Sequence, residues 1–329
     1  MKVMKSVRNG ISLVIENYKM VLVIYVVNLC TALLLAIPFY SSLKNEIAFK
    51  GVRDDLVSGF NLEWWRALQA SPRGLLDTLR PTLDGGFTPL FDNFQVLLTG
   101  KFTSFGLLIF LMVLVYVVIT AFFNGGILGL FADEKRSYTT GRFFSFSGFY
   151  FHHFMSLVTT VFILLLLFYK FLKPLVFNTV DGITQSWLND PAVWWMNLAG
   201  FIVVALLLML IRVIFDYAKI ILVVENQNSS WYCIWLAVKF IFTHPLKTLG
   251  LYGILMAIGL GLMLVFGGLL GVMNPGSVYV LIVLVFFQQF FMFVKIGHRL
   301  LILGAQLALF QQRKPVVVTS KKKIKTKTK

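Results

Sequence analysis

The sequence predicts an all-α, polytopic membrane helix bundle. Six transmembrane helices form three pseudo-repeated hairpins, with amphipathic interfacial helices on the cytoplasmic side. Three observations carry this reading. Of the 329 residues, 58% are hydrophobic and 13% charged, against about 45–50% and about 25% in soluble domains, so too little polar surface exists to cover a water-soluble globule. Six apolar stretches each reach the ~20 residues a helix needs to cross a hydrocarbon core about 30 Å thick. Basic residues, finally, are shared very unequally among the connecting segments. The 33 Phe exclude a disordered chain, and the two Cys exclude a disulfide scaffold.

The spans are read as residues 20–40, 104–124, 154–172, 194–216, 248–272 and 277–297. Residues 1–312 make one membrane domain, with an outer cap at 41–103 and a disordered basic tail at 313–329. An even number of spans puts both termini on one side. The segments Ser41–Lys101 and Lys170–Val193 hold nine Lys/Arg and nine acids, so their net charge is zero, and the whole +16 falls on the other side. Positive loops stay in the cytoplasm, which makes both termini cytoplasmic in a cell membrane, the bacterial inner or plasma membrane. The basic charge is thus a topological signal, and no nucleic acid partner is needed to explain it.

The first span follows Lys2, Lys5, Arg8 and Lys19, as a signal peptide would. It runs long and ends at Ile37-Pro38-Phe39-Tyr40 without a small-x-small cleavage site, so it reads as an uncleaved anchor. The cap contains a short helical pattern at Leu62–Leu68, with Trp64 and Trp65 at the outer interface, broken further on by Pro72, Pro81 and Pro89. Cys30 falls mid-membrane and Cys233 at the cytoplasmic side, so they do not pair. The sequon at Asn228 lies on the cytoplasmic side and is not an acceptor.

Three junctions resemble one another. Aromatic or apolar residues meet a polar one (Asn17, His153, His244), and a new span begins. Ahead of the first, Val3, Val7, Ile11, Val14 and Tyr18 fall on one stripe opposite Lys5, Asn9, Ser12 and Glu16. Ahead of the third, Trp231, Ile234, Trp235, Val238, Ile241 and Phe242 do the same, with Ser229 or Ser230 placed to cap the helix. Such helices suit the headgroup layer. Small residues also recur at four-residue spacing: Gly253, Ala257 and Gly261, then Gly267 and Gly271, and Gly125 with Gly129. They point to close helix packing within the bundle.

Ionisable residues near a membrane are the candidate functional groups. Here they are Arg212, Asp216 and Lys219 on the fourth span and Lys295, His298 and Arg299 on the sixth, a polar cluster at the inner interface. Arg212 and Asp216 are spaced to pair at i, i+4. His152 and His153 are neighbours that point apart, so no metal spacing exists, and His244 precedes a helix-starting Pro245. No triad, Walker or dinucleotide frame is present; neither catalysis nor a cofactor is expected. The tail offers Lys321, Lys322, Lys323, Lys325, Lys327 and Lys329 to anionic lipid.

Asp216-Tyr217-Ala218-Lys219 and Phe242-Thr243-His244-Pro245 resemble segments of uncharacterised bacterial six-span proteins related to the membrane domain found beside some glycerophosphodiester phosphodiesterases. The resemblance implies a six-span bundle and supplies no activity, because that family's catalytic barrel has no counterpart here. Two functions fit the sequence: a non-enzymatic scaffold or accessory subunit engaging lipid and partner membrane proteins, or a secondary transporter or lipid-handling permease. Charge-free cores in spans one, three and five favour the first.

Overall fold

The computed structural model describes residues 2–49, 63, 66, 107–133, 138–187, 189–273 and 277–312. Most of the outer cap and all of the basic tail, including Lys321 to Lys329, lie outside the described residues. Those described are helical, with no strand among them. In chain order the helices are α1 (Lys2–Glu16), α2 (Tyr18–Phe49), α3 (Leu107–Ala132), α4 (Thr140–Leu167), a π-helical turn (Phe168–Leu172), α5 (Lys173–Thr184), α6 (Asp190–Val224), α7 (Ser230–Thr243), α8 (Pro245–Val272) and α9 (Val278–Gln311). Six helical runs are long and apolar enough to cross a membrane: α2, α3, α4 through α5, α6, α8 and α9. The chain is a multi-pass integral membrane protein.

The first and last helices meet at one end of the bundle, the base. A Cβ on Gly10 of α1 would stand 2.8 Å from the backbone nitrogen of Ala305 of α9, so only glycine permits that approach. Gln312 Nε2 donates to Ser6 Oγ at 3.2 Å beside it. The core sits here. Phe131, Phe143, Phe154, Tyr217, Tyr252 and Phe310 are fully buried, drawn from α3, α4, α6, α8 and α9. Toward the far end the same helices expose Leu114, Leu166, Leu206, Val265 and Phe286, and α2 exposes Leu33. Lipid tails are as apolar as leucine, so nothing drives those side chains together; at the base, burial from water does.

The α3–α4 hairpin packs through the glycines the sequence points to. A Cβ on Gly125 would meet Tyr150 Cβ at 3.1 Å, one on Gly129 would meet Phe146 at 2.6 Å, and one on Gly126 would meet Ser147 Oγ and the Phe143 ring. Asp133 and Arg142 form an ion pair where the two helices join. The α8 stripe behaves otherwise. Gly253, Gly261 and Gly271 have nothing within 4 Å of a Cβ, so they do not mediate packing within this bundle; the close contact comes from Gly259, off that stripe.

Two of the three junctions break the helix. At Asn17 the side-chain Nδ2 donates to the Leu13 carbonyl at 2.8 Å, competing with the helical ladder and separating α1 from α2. At His244 the following Pro245 has no N–H to continue α7 and opens α8 instead. Ser229 Oγ accepts from Tyr232 N at the start of α7, the expected cap. The middle junction differs: α4 runs unbroken through His152 and His153, since no proline or competing amide interrupts it. The middle segment is therefore the end of a long span packed on α3, and the interfacial helices are α1 and α7. The spans also outrun their apolar stretches. Much of the outer segment read at Lys170–Val193 is helix, and α2 continues past Pro38 to Phe49.

α1 does not carry one apolar stripe, as its sequence suggests, but two. Ser6, Val7, Gly10, Leu13 and Asn17 are buried, whereas Met4, Ile11 and Ile15 are exposed about a third of a turn away around the axis. Arg8 and Lys5 follow on the same rotation. α7 repeats the order in the same sense: Cys233, Ala237 and Ile241 buried, then Trp231, Trp235 and Phe242 exposed, then Lys239. The pseudo-repeat is clearest in this shared register.

Candidate functional site: polar side chains of the inner spans

Asp216 sits on α6 only 6% exposed, and its partner is Lys219, whose Nζ stands 3.0 Å from Oδ1. The pairing expected with Arg212 is corrected. Helical side chains lean toward the N-terminus, which brings Lys219 back over Asp216 and tilts Arg212 away from it. Arg212 is exposed on the flank of α6.

On α9 the three candidates part company. His298 Nε2–H donates to the Leu255 carbonyl of α8 at 2.9 Å. The ring fits because position 259 is glycine: a Cβ there would stand 2.6 Å from His298 Cε1. Arg299 Nη2 donates to Asn124 Oδ1 of α3 at 3.2 Å, a link across 175 residues of chain. Lys295 is exposed. The six residues therefore serve as one intrahelical ion pair, two interhelical ties and two exposed cations. The ties fasten α9 to α8 and to α3, so both histidine and arginine work as positioning groups.

A second polar set lies farther along the spans from the base. Tyr25 Oη donates to Gln289 Oε1 at 2.8 Å, joining α2 to α9, and the Tyr25 and Phe293 rings meet edge-on at 6.2 Å. Beside them opens a cleft of about 110 Å³ lined by Tyr25, Asn28, Leu29, Ala32, Gln289, Met292 and Ile296. Among the described residues no three His, Cys, Asp or Glu side chains come close enough to share a metal ion. Both cysteines are free.

Comparison of the chain with family models, curated proteins and solved structures gives no match.

The sequence reading passes over Tyr25, Asn28 and Gln289, and takes Asn124 only as a polar break at the end of the second span. Their signal is present all the same. An amide inside an otherwise apolar run is costly in hydrocarbon unless it is bonded, and Asn28, Gln288 and Gln289 are the amides of the first and sixth spans. At the base, Gln306 is fully buried with neither amide atom bonded within the described residues.

Proposed function

We propose that this protein is a non-enzymatic membrane scaffold or accessory subunit. Its base faces the cytoplasm, docks on anionic lipid of a bacterial inner membrane, and presents the bundle to partner membrane proteins. One observation carries the reading: α1 and α7, each fastened to the base by one stripe, turn a second apolar stripe outward with cations beside it. Trp231 is 70% exposed and Trp235 65%, large rings suited to the headgroup boundary of the leaflet from which α8 departs. Placing both termini in the cytoplasm follows the charge distribution, and the likeness to six-span proteins beside phosphodiesterases belongs to the same proposal.

Depth measurement tests it. Spin labels at Trp235→Cys and Ile15→Cys, in a background with Cys30 and Cys233 replaced, should report burial below the headgroups of nanodiscs, while a label at Lys239→Cys should report water. Water exposure at all three positions would overturn the proposal. The second reading, a secondary transporter or lipid-handling permease, is favoured by the α2–α9 cleft, since transporters bring polar groups to the membrane interior. Solute or lipid flux in sealed liposomes would decide for it.

A further inference from the structure

The α2–α9 cleft has a chemistry that names its ligand. Its depth follows from both walls. Tyr25 lies seven residues into α2, about 10 Å along the axis from Tyr18, and Gln289 lies eight residues before Gly297, about 12 Å in from the inner end of the sixth span. Two independent helices thus place the polar groups deep in one leaflet, below the headgroups.

The hydrogen-bond inventory there is unbalanced. Gln289 spends its carbonyl oxygen on Tyr25, which leaves both its N–H donors without an acceptor among the described residues. Among the described residues the Asn28 amide has no partner at all, so two more donors and one acceptor stand open. The Tyr25 oxygen keeps accepting capacity. Four N–H donors stand open beside the accepting Asn28 and Tyr25 oxygens, so the site suits a ligand that brings oxygen acceptors and can also offer a hydroxyl. No lining residue carries a charge, and a charged group at this depth without a counter-charge is strongly disfavoured; a phosphate or carboxylate is the wrong partner. The remaining wall of Leu29, Ala32, Met292 and Ile296 is apolar, and Leu29 and Met292 are also exposed to the bilayer. The cleft therefore opens sideways into lipid. Its volume of about 110 Å³ matches three or four waters at ~30 Å³ each, or the ester-bearing end of one lipid.

We propose that this cleft binds an uncharged amphiphile through its ester, carbonyl or hydroxyl oxygens, an acylglycerol drawn from the bilayer. Asn28 and Gln289 donate to the oxygens, Tyr25 holds Gln289 in its rotamer, and the acyl chain lies along Ala32 and Met292. Binding here is read without flux and without any partner protein, so its test is distinct from that of either the scaffold or the permease reading.

The test uses the full chain in nanodiscs containing a diacylglycerol with a photoactivatable group in its acyl chain. Crosslinks should concentrate on peptides of α2 and α9, and unlabelled diacylglycerol should compete while phosphatidylglycerol at equal mole fraction should not. Asn28→Leu with Gln289→Leu should cut labelling about tenfold, the equivalent of one or two hydrogen bonds in a low-dielectric site. Ala32→Phe, which keeps each polar group and fills the apolar wall, should cut it as well, so a folding defect in the amide variant does not decide the matter. Labelling spread evenly over the lipid-facing helices, labelling unchanged by Ala32→Phe, or equal competition by phosphatidylglycerol would each overturn the assignment. So would a cleft that takes up water only.

Discussion

At the scale of single residues, Asp216, Lys219, His298 and Arg299 show what a sequence can and cannot deliver. That these residues need partners was legible, because charges near a membrane are costly. Which partner each takes was not. Lys219 over Arg212 depends on the lean of helical side chains, and the ties from His298 to Leu255 and from Arg299 to Asn124 join helices whose adjacency no local pattern encodes. Two buried groups at the base give expectations of their own. Gln306 is buried with its amide unbonded among the described residues, a state costing about 1–3 kcal/mol, so Gln306→Met should raise stability by about that amount, read as a higher melting midpoint in detergent. The Cys233 thiol, outside the spans on α7, is pushed up to about 11, first by burial and then by the nearby Glu225 carboxylate. Its neutral form is the one the fold favours, so stability it contributes is full below the ordinary thiol range and falls as pH rises through that range toward 11. Maleimide at pH 8 should leave Cys233 unlabelled in the folded protein and label it after denaturation; rapid labelling of the folded protein would contradict this burial.

At the scale of elements, helix existence was legible throughout, and boundaries and junctions less so. Apolar length located all six spans, and serine and proline marked the start of α7 and the break before α8. The middle junction misled because its aromatic-histidine run resembles the other two while lacking anything that stops a helix. The second stripes of α1 and α7 were hidden because a single apolar face and two adjacent ones produce the same coarse periodicity; only packing against α9 and α6 separates them. That packing has a sharp steric requirement. Gly10→Ala would push a methyl group into the backbone of Ala305 at 2.8 Å, where no flexible side chain can give way, while Gly304→Ala would place its methyl 3.4 Å from the Gly10 Cα, an ordinary contact. The first should cost about 1–3 kcal/mol, the range for overpacking, and the second close to nothing. Thermal unfolding of the two variants side by side measures the difference; equal effects would show that α1 and α9 adjust freely.

At the scale of the whole molecule, the base joins packing and charge in one place. The helices converge there into a close-packed end sealed by α1 and α7, and 21 of the 30 Lys/Arg but only 5 of the 14 acids belong to the segments on that side. The tail beyond the described residues supplies eight of those cations, six of them between Lys321 and Lys329. If topology were their only use, they would be in excess: without those six, fifteen basic residues would still stand against nine on the far side, ample for the positive-inside bias. Removing Lys321–Lys329 should therefore leave orientation unchanged in reporter fusions, and leave the melting midpoint unchanged too, since α9 is already fastened to α1 through Gln312 and Ser6. Attraction to anionic lipid is the property that should fall. Each cation near such a surface contributes about 1 kcal/mol at low salt, so six should weaken vesicle binding of the base by well over tenfold. The difference should shrink as salt rises and the Debye length contracts to about 8 Å at physiological strength. Flotation of full-length and truncated protein nanodiscs against vesicles of graded anionic content reads both effects. Equal binding of the two proteins at low salt would assign the tail to topology alone.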